Sequence, residues 1–240
     1  MASAGSAGPQ GGGLGAGPRT KVRRMPSRGR YDRASIYGIL DGAFVCHLGY
    51  TRQGQPMVVP MVFGRQGDSL YLHGAPANAT LAPARQEQEA CVAVTLVDAL
   101  VLARSAFHQS VNYRSVVAFG PLCDVPDLEQ KRRALEVIVD HVMPGRSRDT
   151  RPPTDTELRA TKVARFDISE ASAKIRDGGP TEEPEDLVPG PFWAGTVPLL
   201  TSLGPPVVDT QAPVDVPPPP YLTYHPALGF PGKAGARSQV

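Results

Sequence analysis

A ladder of period two runs from Val101 to Gly120, VLARSAFHQSVNYRSVVAFG. Val101, Ala103, Ser105 and Phe107 share one parity, as do Tyr113, Ser115, Val117 and Phe119. The other parity holds Leu102, Arg104 and Ala106, then Arg114, Val116 and Ala118. Alternation with β-branched and aromatic residues marks strands, and the stretch reads as two of them meeting around Ser110–Asn112. Two arginines, three serines, an Asn, a His and a Tyr interrupt the apolar ladder. Buried polar atoms need partners, so this sheet has one wet face or faces a polar ligand.

The rest of the chain is divided by composition. Gly and Pro account for 51 of 240 residues and crowd the two ends. Residues 1–23 form a Gly/Ala-rich basic arm, read as disordered because it has too little apolar area to offset the entropy of ordering. Residues 24–200 form one globular domain, and 201–240 a Pro-rich tail, also read as disordered. The formal net charge of +2 gives no reason to expect nucleic acid. No apolar run reaches the roughly 20 residues of a membrane span. The arm lacks the apolar core of a secretory signal, so a cytoplasmic protein is expected, with organelle targeting by the basic arm left open. Cys46, Cys91 and Cys123 are far apart and read as free thiols.

Within the domain, Asp32 is placed to cap a helix whose Ile36, Ile39 and Leu40 share a face. Strands follow at Ala43–Tyr50, at Pro56–Phe63 with Pro60 as a break or edge, and at Leu70–His73. Gly74–Arg85 reads as a loop opening a short helix that Pro83 limits, and Ala90–Val97 as a strand. Pro126–Met143 is the long helix, its face lined by Leu128, Leu135, Ile138, Val139 and Val142. Thr154 and Glu157 have capping-box spacing, and Thr161–Ile168 is a late strand. The whole is a β-rich α+β chain closing as a small barrel, with one long and two or three short helices.

These motifs together resemble the pyridoxamine 5′-phosphate oxidase-like FMN-binding split barrels, in the branch that includes the nitroimidazole-resistance proteins. The residues that carry the likeness are Arg30-Tyr31-Asp32 with Ile36–Asp41, Gly54-Gln55-Pro56 with Val59-Pro60, and Leu70–Gly74. They continue through Ala103–His108 with Asn112–Val116, Glu170–Lys174 with Arg176, and Trp193-Ala194-Gly195 with Pro198. The resemblance implies a homodimer with FMN at its interface. Cofactor contacts are then expected from Pro60, Met61, Val62, His73, Gly74, Asn78, Thr80, Tyr113, Arg114 and Ser115, with Lys174 and Trp193 closing over the ring. Relatives often carry Ser-Arg at the phosphate loop, where this chain reads Asn78-Ala79, which leaves Thr80 or Arg85 to compensate.

The implied activity is an FMN-dependent oxidoreductase passing electrons from NADH or NADPH to a small electron-poor acceptor. The alternatives are a non-catalytic flavin-nucleotide binder, and a scaffold recruited through its tail. His73 is the one catalytic candidate. Arg114, a guanidinium in a strand, needs either a phosphate or a carboxylate such as Asp98, Asp124 or Asp167. A hydrolytic set of Ser105, His108 and Asp98 lacks the strand–turn–helix elbow that would present the serine. The scattered His47, His73 and His108 do not make a metal motif. Pro217–Tyr221, PPPPY, has the pattern of a WW-domain ligand.

Overall fold

The computed structural model describes residues 14, 15, 17–77, 79–187, 190–209, 211, 216–223, 225, 226 and 228. Among the described residues nine strands form one antiparallel sheet in the order β1-β8-β6-β7-β4-β3-β2-β5-β9, and an added β5–β6 pairing closes six of them into a barrel. The strands are β1 (Gly29–Arg30), β2 (Val45–Arg52), β3 (Gln55–Gln66), β4 (Ser69–Gly74), β5 (Glu89–Leu102), β6 (Ser110–Asp124), β7 (Lys162–Asp167), β8 (Glu170–Arg176) and β9 (Gly195–Pro198). The helices are α1 (Arg33–Asp41), α2 (Leu128–Val142) and α3 (Asp155–Arg159).

The barrel is split because two strands change partners along their length. β6 pairs with β5 and β8 over residues 113–119, and with β7 over Leu122–Asp124. β3 pairs with β2 through Val62 and with β4 from Phe63 onward. Pro60 therefore does not break β3. It pairs with His47 in a half that has no strand on its other side, so its missing N–H leaves no ladder bond unmade. Phe63, Leu70, Leu72, Val92, Val94, Val116 and Phe166 point inward, and α1 adds Ile36, Ile39 and Leu40 to the same core. The Asp32 carboxylate caps α1, accepting from the Ser35 N–H at 2.8 Å.

α2 packs across β3 and β4 on the barrel's outer face. A Cβ on Gly64 would lie 2.7 Å from the Ile138 backbone, so only glycine lets the helix come this close. Ala134 and Ile138 are its buried residues. The sequence pattern placed Val139 and Val142 on the packed face, but both stay more than a third exposed because contact centres on Gly64. The expected capping box of α3 is present, with Thr154 and Glu157 bonded reciprocally. The segment after Gly74 is a 3₁₀ helix, Ala79–Gln86, with Pro83 inside it and buried; i→i+3 bonding replaces the expected α-turn.

The turn between β5 and β6 falls at residues 103–109 rather than at Ser110–Asn112. Gln109 fixes it by donating to the Ala103 and Ser105 carbonyls at 2.8 and 3.1 Å and accepting from the Ala103 N–H at 3.2 Å. A side-chain bridge of this kind leaves no trace in the periodicity. After β8 the chain returns to the sheet, where Glu182 accepts from the Arg104 N–H at 3.1 Å and β9 pairs with Ala99–Leu102. Within the Pro-rich tail, the Tyr221 hydroxyl donates to Asp149 at 2.6 Å and accepts from Arg146 at 3.2 Å. The His225 ring meets Phe44 edge-on. No helix among the described residues is long and apolar enough to cross a membrane.

Candidate functional site

Strand register assigns every sheet residue to the inside or the outside of the barrel. Pro60, His47, Ala93, Val117 and Ser172 are successive partners across five strands, and they share the outer face because paired antiparallel residues point the same way. Moving along β6 by two residues at a time places Ser115 and Tyr113 on this face too. Lys174 joins it as the partner of Ser115. Its apolar members are exposed: Val58 68%, Val97 46%, Val45 43%, Val62 40% and Val117 37%. A contiguous apolar wall of this kind, rimmed by polar groups, marks an interaction or ligand surface. α2 covers the outer face only where Gly64, Tyr71 and Val163 lie.

The expected cofactor residues divide accordingly. Pro60, Val62, His73, Tyr113, Ser115 and Lys174 lie on the outer face, and His73 is exposed at the end of β4. Met61 points the other way and packs on the core. Arg114 also has inward parity, pairing with Leu96 and Ile175. Its guanidinium is bound to Asp98 by contacts of 2.7–3.2 Å, so the carboxylate partner is the one found, and each group is satisfied by the other. That ion pair raises the arginine's already high pKa, through the hydrogen bond to Asp98 first. Asp98 can reach it because β5 bulges between Val97 and Ala99. Gly74 pairs with Lys162, and Thr80 is buried in the 3₁₀ segment. Asn78 lies outside the described residues. Trp193 is 64% exposed, with its indole against Gly195.

On one chain the expected residues fall into two groups. Pro60, Val62 and His73 sit on β3 and β4, whereas Tyr113, Ser115 and Lys174 sit on β6 and β8, with β2 and β5 between the two groups. The Lys174 ammonium has no ion pair among the described residues.

Other candidates are resolved by geometry. Asp98 is occupied by Arg114, and the Ser105 Oγ has no hydrogen-bond partner among the described residues, so the three do not relay a proton. The His108 Nε2 atom faces Glu183 at 3.2 Å, without hydrogen-bond geometry. Among the described residues no group of three His, Cys, Asp or Glu side chains is arranged to hold a metal. Cys46, Cys91 and Cys123 are free thiols, and burial pushes Cys46 up to about 12, which keeps it protonated and unreactive.

Sequence reasoning named Arg176 and Asn112 only as motif residues and missed the contact between them. Arg176 is 6% exposed and Asn112 8% exposed. The guanidinium donates to the Asn112 side chain and to the Gly178 and Gly179 carbonyls, the latter two at 3.0 and 2.9 Å. This clamp fixes where the chain leaves β8 toward Glu182 and β9. Burial lowers the Arg176 pKa, and no local pattern announces such a contact across strands.

Residues 32–175 match the sequence profile of the pyridoxamine 5′-phosphate oxidase family. The chain is 37% identical to the flavocytochrome Anf3 from Azotobacter vinelandii, with a TM-score of 0.79 over 86% of this chain and 95% of that one. It is 33% identical to the FAD and heme binding protein from Mycobacterium smegmatis, with a TM-score of 0.77 over 81% and 95% of the two chains. A candidate 5-nitroimidazole antibiotic resistance protein from Bacteroides thetaiotaomicron is 28% identical, with a TM-score of 0.53 over 61% and 86%. Among curated proteins none matches. Profile, barrel topology and two relatives above 30% identity agree: the chain belongs to the pyridoxamine 5′-phosphate oxidase-like family of flavin-binding split barrels.

Proposed function

We propose that this protein is a flavin-dependent redox protein that works as a homodimer, with each cofactor held between the two half-sites of opposite subunits. One observation carries the reading: the outer face bears five half-exposed valines flanked by Tyr113, Ser115 and Lys174, and none of the described residues covers this part of it. A second copy would bury the valines and bring the β3–β4 half-site against the partner's β6–β8 half-site. The residues fit a flavin. Val58, Val62 and Val117 offer a flat apolar bed, Tyr113 an aromatic edge, and the Lys174 ammonium a positive charge for the electron-rich pyrimidine end of the ring. A bound flavin supplies the two-electron chemistry between a nicotinamide donor and a small electron-poor acceptor; the protein positions the ring, tunes it and excludes water. FMN and FAD would present the same ring to these contacts. Support for a flavin comes from the two relatives above 30% identity, described as a flavocytochrome and as an FAD and heme binding protein.

The test is a visible absorption spectrum of protein purified without added cofactor, followed by acid release and chromatography of the chromophore. Flavin bands, with FMN or FAD released, are expected, together with oxidation of NADH or NADPH in the presence of a nitro compound or quinone. Bound flavin without turnover would favour a non-catalytic binder. A colourless protein that neither FMN nor FAD stabilises against heat would overturn the reading in favour of a scaffold.

A second reading adds heme. Alignment to the flavocytochrome covers 86% of the chain, about 206 residues, which is about thirty more than lie between Met1 and Arg176. The likeness thus includes part of the extension after β8, beyond the region that the family profile matches. Imidazole is a common axial ligand, and His47 and His73 are both exposed on the outer face. A Soret band lost in either His47→Ala or His73→Ala is the expected result; its absence from heme-supplemented wild type would remove this reading.

A further inference from the structure

Residues 21–30, KVRRMPSRGR, hold five cations and no acid. The fold places them at one edge of the outer wall. Gly29 pairs with Lys174 across β1 and β8, so the two point to the same side of the sheet. A Cβ on Gly29 would lie 3.2 Å from the Val22 Cβ, the Pro26 carbonyl oxygen and the Tyr31 hydroxyl. Residues 22–26 therefore cross the outer side of β1, beside Lys174. The Val22 N–H donates to the Tyr31 hydroxyl at 2.9 Å, and a 3₁₀ turn over Pro26–Arg28 returns the chain to the sheet.

The charge of this segment is not offset nearby. Lys21, Arg23, Arg24, Arg28 and Arg30 form no ion pair among the described residues. Lys21, Arg23, Arg24 and Arg30 are exposed. Arg30 donates to the Ser27 and Gly29 carbonyls at 2.8 Å, which orders the turn but leaves the charge in place. The acids on either side are engaged elsewhere, Glu170 with Arg19 and Asp32 with the start of α1. Arg176, two residues from Lys174 along β8, directs its donors to Asn112 and to the Gly178 and Gly179 carbonyls. Positive charge thus collects along the edge that carries Tyr113, Ser115 and Lys174, while the wall beside it is apolar.

We propose that this edge binds the adenosine end of the electron donor and selects NADPH over NADH through the 2′-phosphate. The inference rests on the flavin reading above. Hydride transfer requires the nicotinamide to lie against the flavin ring at the wall, so the rest of the dinucleotide leaves over an edge. The β8–β1 edge meets it with guanidinium groups, whose planar forks match phosphate oxygens. The diphosphate bridge is common to both donors. The 2′-phosphate adds a charge of about −1.5 to −2, for which free cations remain. A polymeric anion is matched less well, because the cations stop where the valines begin.

The experiment titrates the purified protein calorimetrically with 2′,5′-ADP and with 5′-AMP, which lacks the 2′-phosphate, and measures KM for NADPH and NADH with a quinone acceptor. Wild type is expected to bind 2′,5′-ADP about tenfold more tightly at low salt, the low end for hydrogen bonds to a charged group because the site meets solvent. The preference should shrink at about 0.5 M salt, where exposed charges are screened. The double variant Arg23→Glu/Arg24→Glu, at exposed positions, should bring the two probes to within about twofold of each other and narrow the KM ratio in step. An unchanged preference in the folded variant overturns the proposal. Equal binding of the probes by wild-type protein that holds flavin and oxidises NADH overturns it too, and keeps the flavin reading. Protein that prefers 2′,5′-ADP but binds no flavin refutes the cofactor and keeps the nucleotide site. Loss of flavin from the folded double variant assigns the segment to the cofactor itself, and tighter binding of a single-stranded oligonucleotide than of either probe assigns it to nucleic acid; each overturns the proposal.

Discussion

Replacing Val117 with aspartate tests whether the bare outer face is a subunit interface. Val117 lies centrally on that face, paired with Ala93 on β5 and Ser172 on β8, and is 37% exposed. Burying a whole valine side chain yields roughly 1.5–3 kcal/mol. With Val45, Val58, Val62, Val97 and Val117 between 37% and 68% exposed, covering the remainder is worth about 1 kcal/mol each per subunit by the same scale. A carboxylate at the centre forfeits one such contribution and also sets a charge in a drying apolar contact, at a cost of several kcal/mol. Dimer dissociation should therefore rise by at least about a hundredfold, since about 1.4 kcal/mol is one factor of ten. Sedimentation velocity across a micromolar dilution series reads this directly. The folded monomer should survive, because the position already meets solvent and strand propensities span only about 1 kcal/mol; circular dichroism checks it. Flavin should be lost along with the dimer, because each half-site then lacks its complement. A Val117→Asp protein that stays dimeric at wild-type strength, or a wild type that is monomeric at micromolar concentration, would refute the reasoning.

Three further outcomes follow from particular contacts. Gly64→Ala sets a Cβ 2.7 Å from the Ile138 backbone, so α2 must shift, at about 1–3 kcal/mol; a urea midpoint unchanged within error would show that the helix is free to move. His141 donates from Nε2 to the Ala43 carbonyl at 2.8 Å under the Phe63 ring, and burial holds its pKa below 6.5. The unfolded chain thus takes up the proton first, so stability is full above pH 6.5 and is lost as pH falls through the lower folded value. Thermal melts of His141→Gln should lack this acid-side loss, and a variant with the wild-type slope would assign it elsewhere. Asp149→Ala removes the acceptor of the Tyr221 hydroxyl, which weakens tail docking by about 1 kcal/mol. We propose that the PPPPY motif is a WW ligand in competition with this contact: the variant should be retained better than wild type on immobilised WW domains, and retention of neither removes the motif.

Strand positions and helix caps were legible because they depend on neighbours in sequence. The alternation in Val101–Gly120, the Asp32 cap and the Thr154–Glu157 box each express a local geometric rule, and each is present, with only the β5–β6 turn displaced to residues 103–109. The helical face of α2 was legible only in part. Its contact centre is set by Gly64, seventy-four residues away, and nothing inside the helix encodes that. Residue chemistry alone left Arg114 open between a phosphate and a carboxylate, and the bulge that exposes Asp98 decides it. The same limit hid the Arg176–Asn112 clamp.

By itself, the sequence determined a β-rich chain with polar groups set into one ladder, and its combined motifs pointed to the family. Periodicity and capping act over a few residues, so they survive in the order of letters. The tertiary structure decided which face each of those groups occupies. Register carries Pro60, His47, Val117 and Ser115 onto one uncovered wall and turns Arg114, Met61 and Lys162 inward. Because a side chain changes face with every residue, a pairing shift of one position reverses that division, and pairings between distant strands are fixed only when the barrel closes.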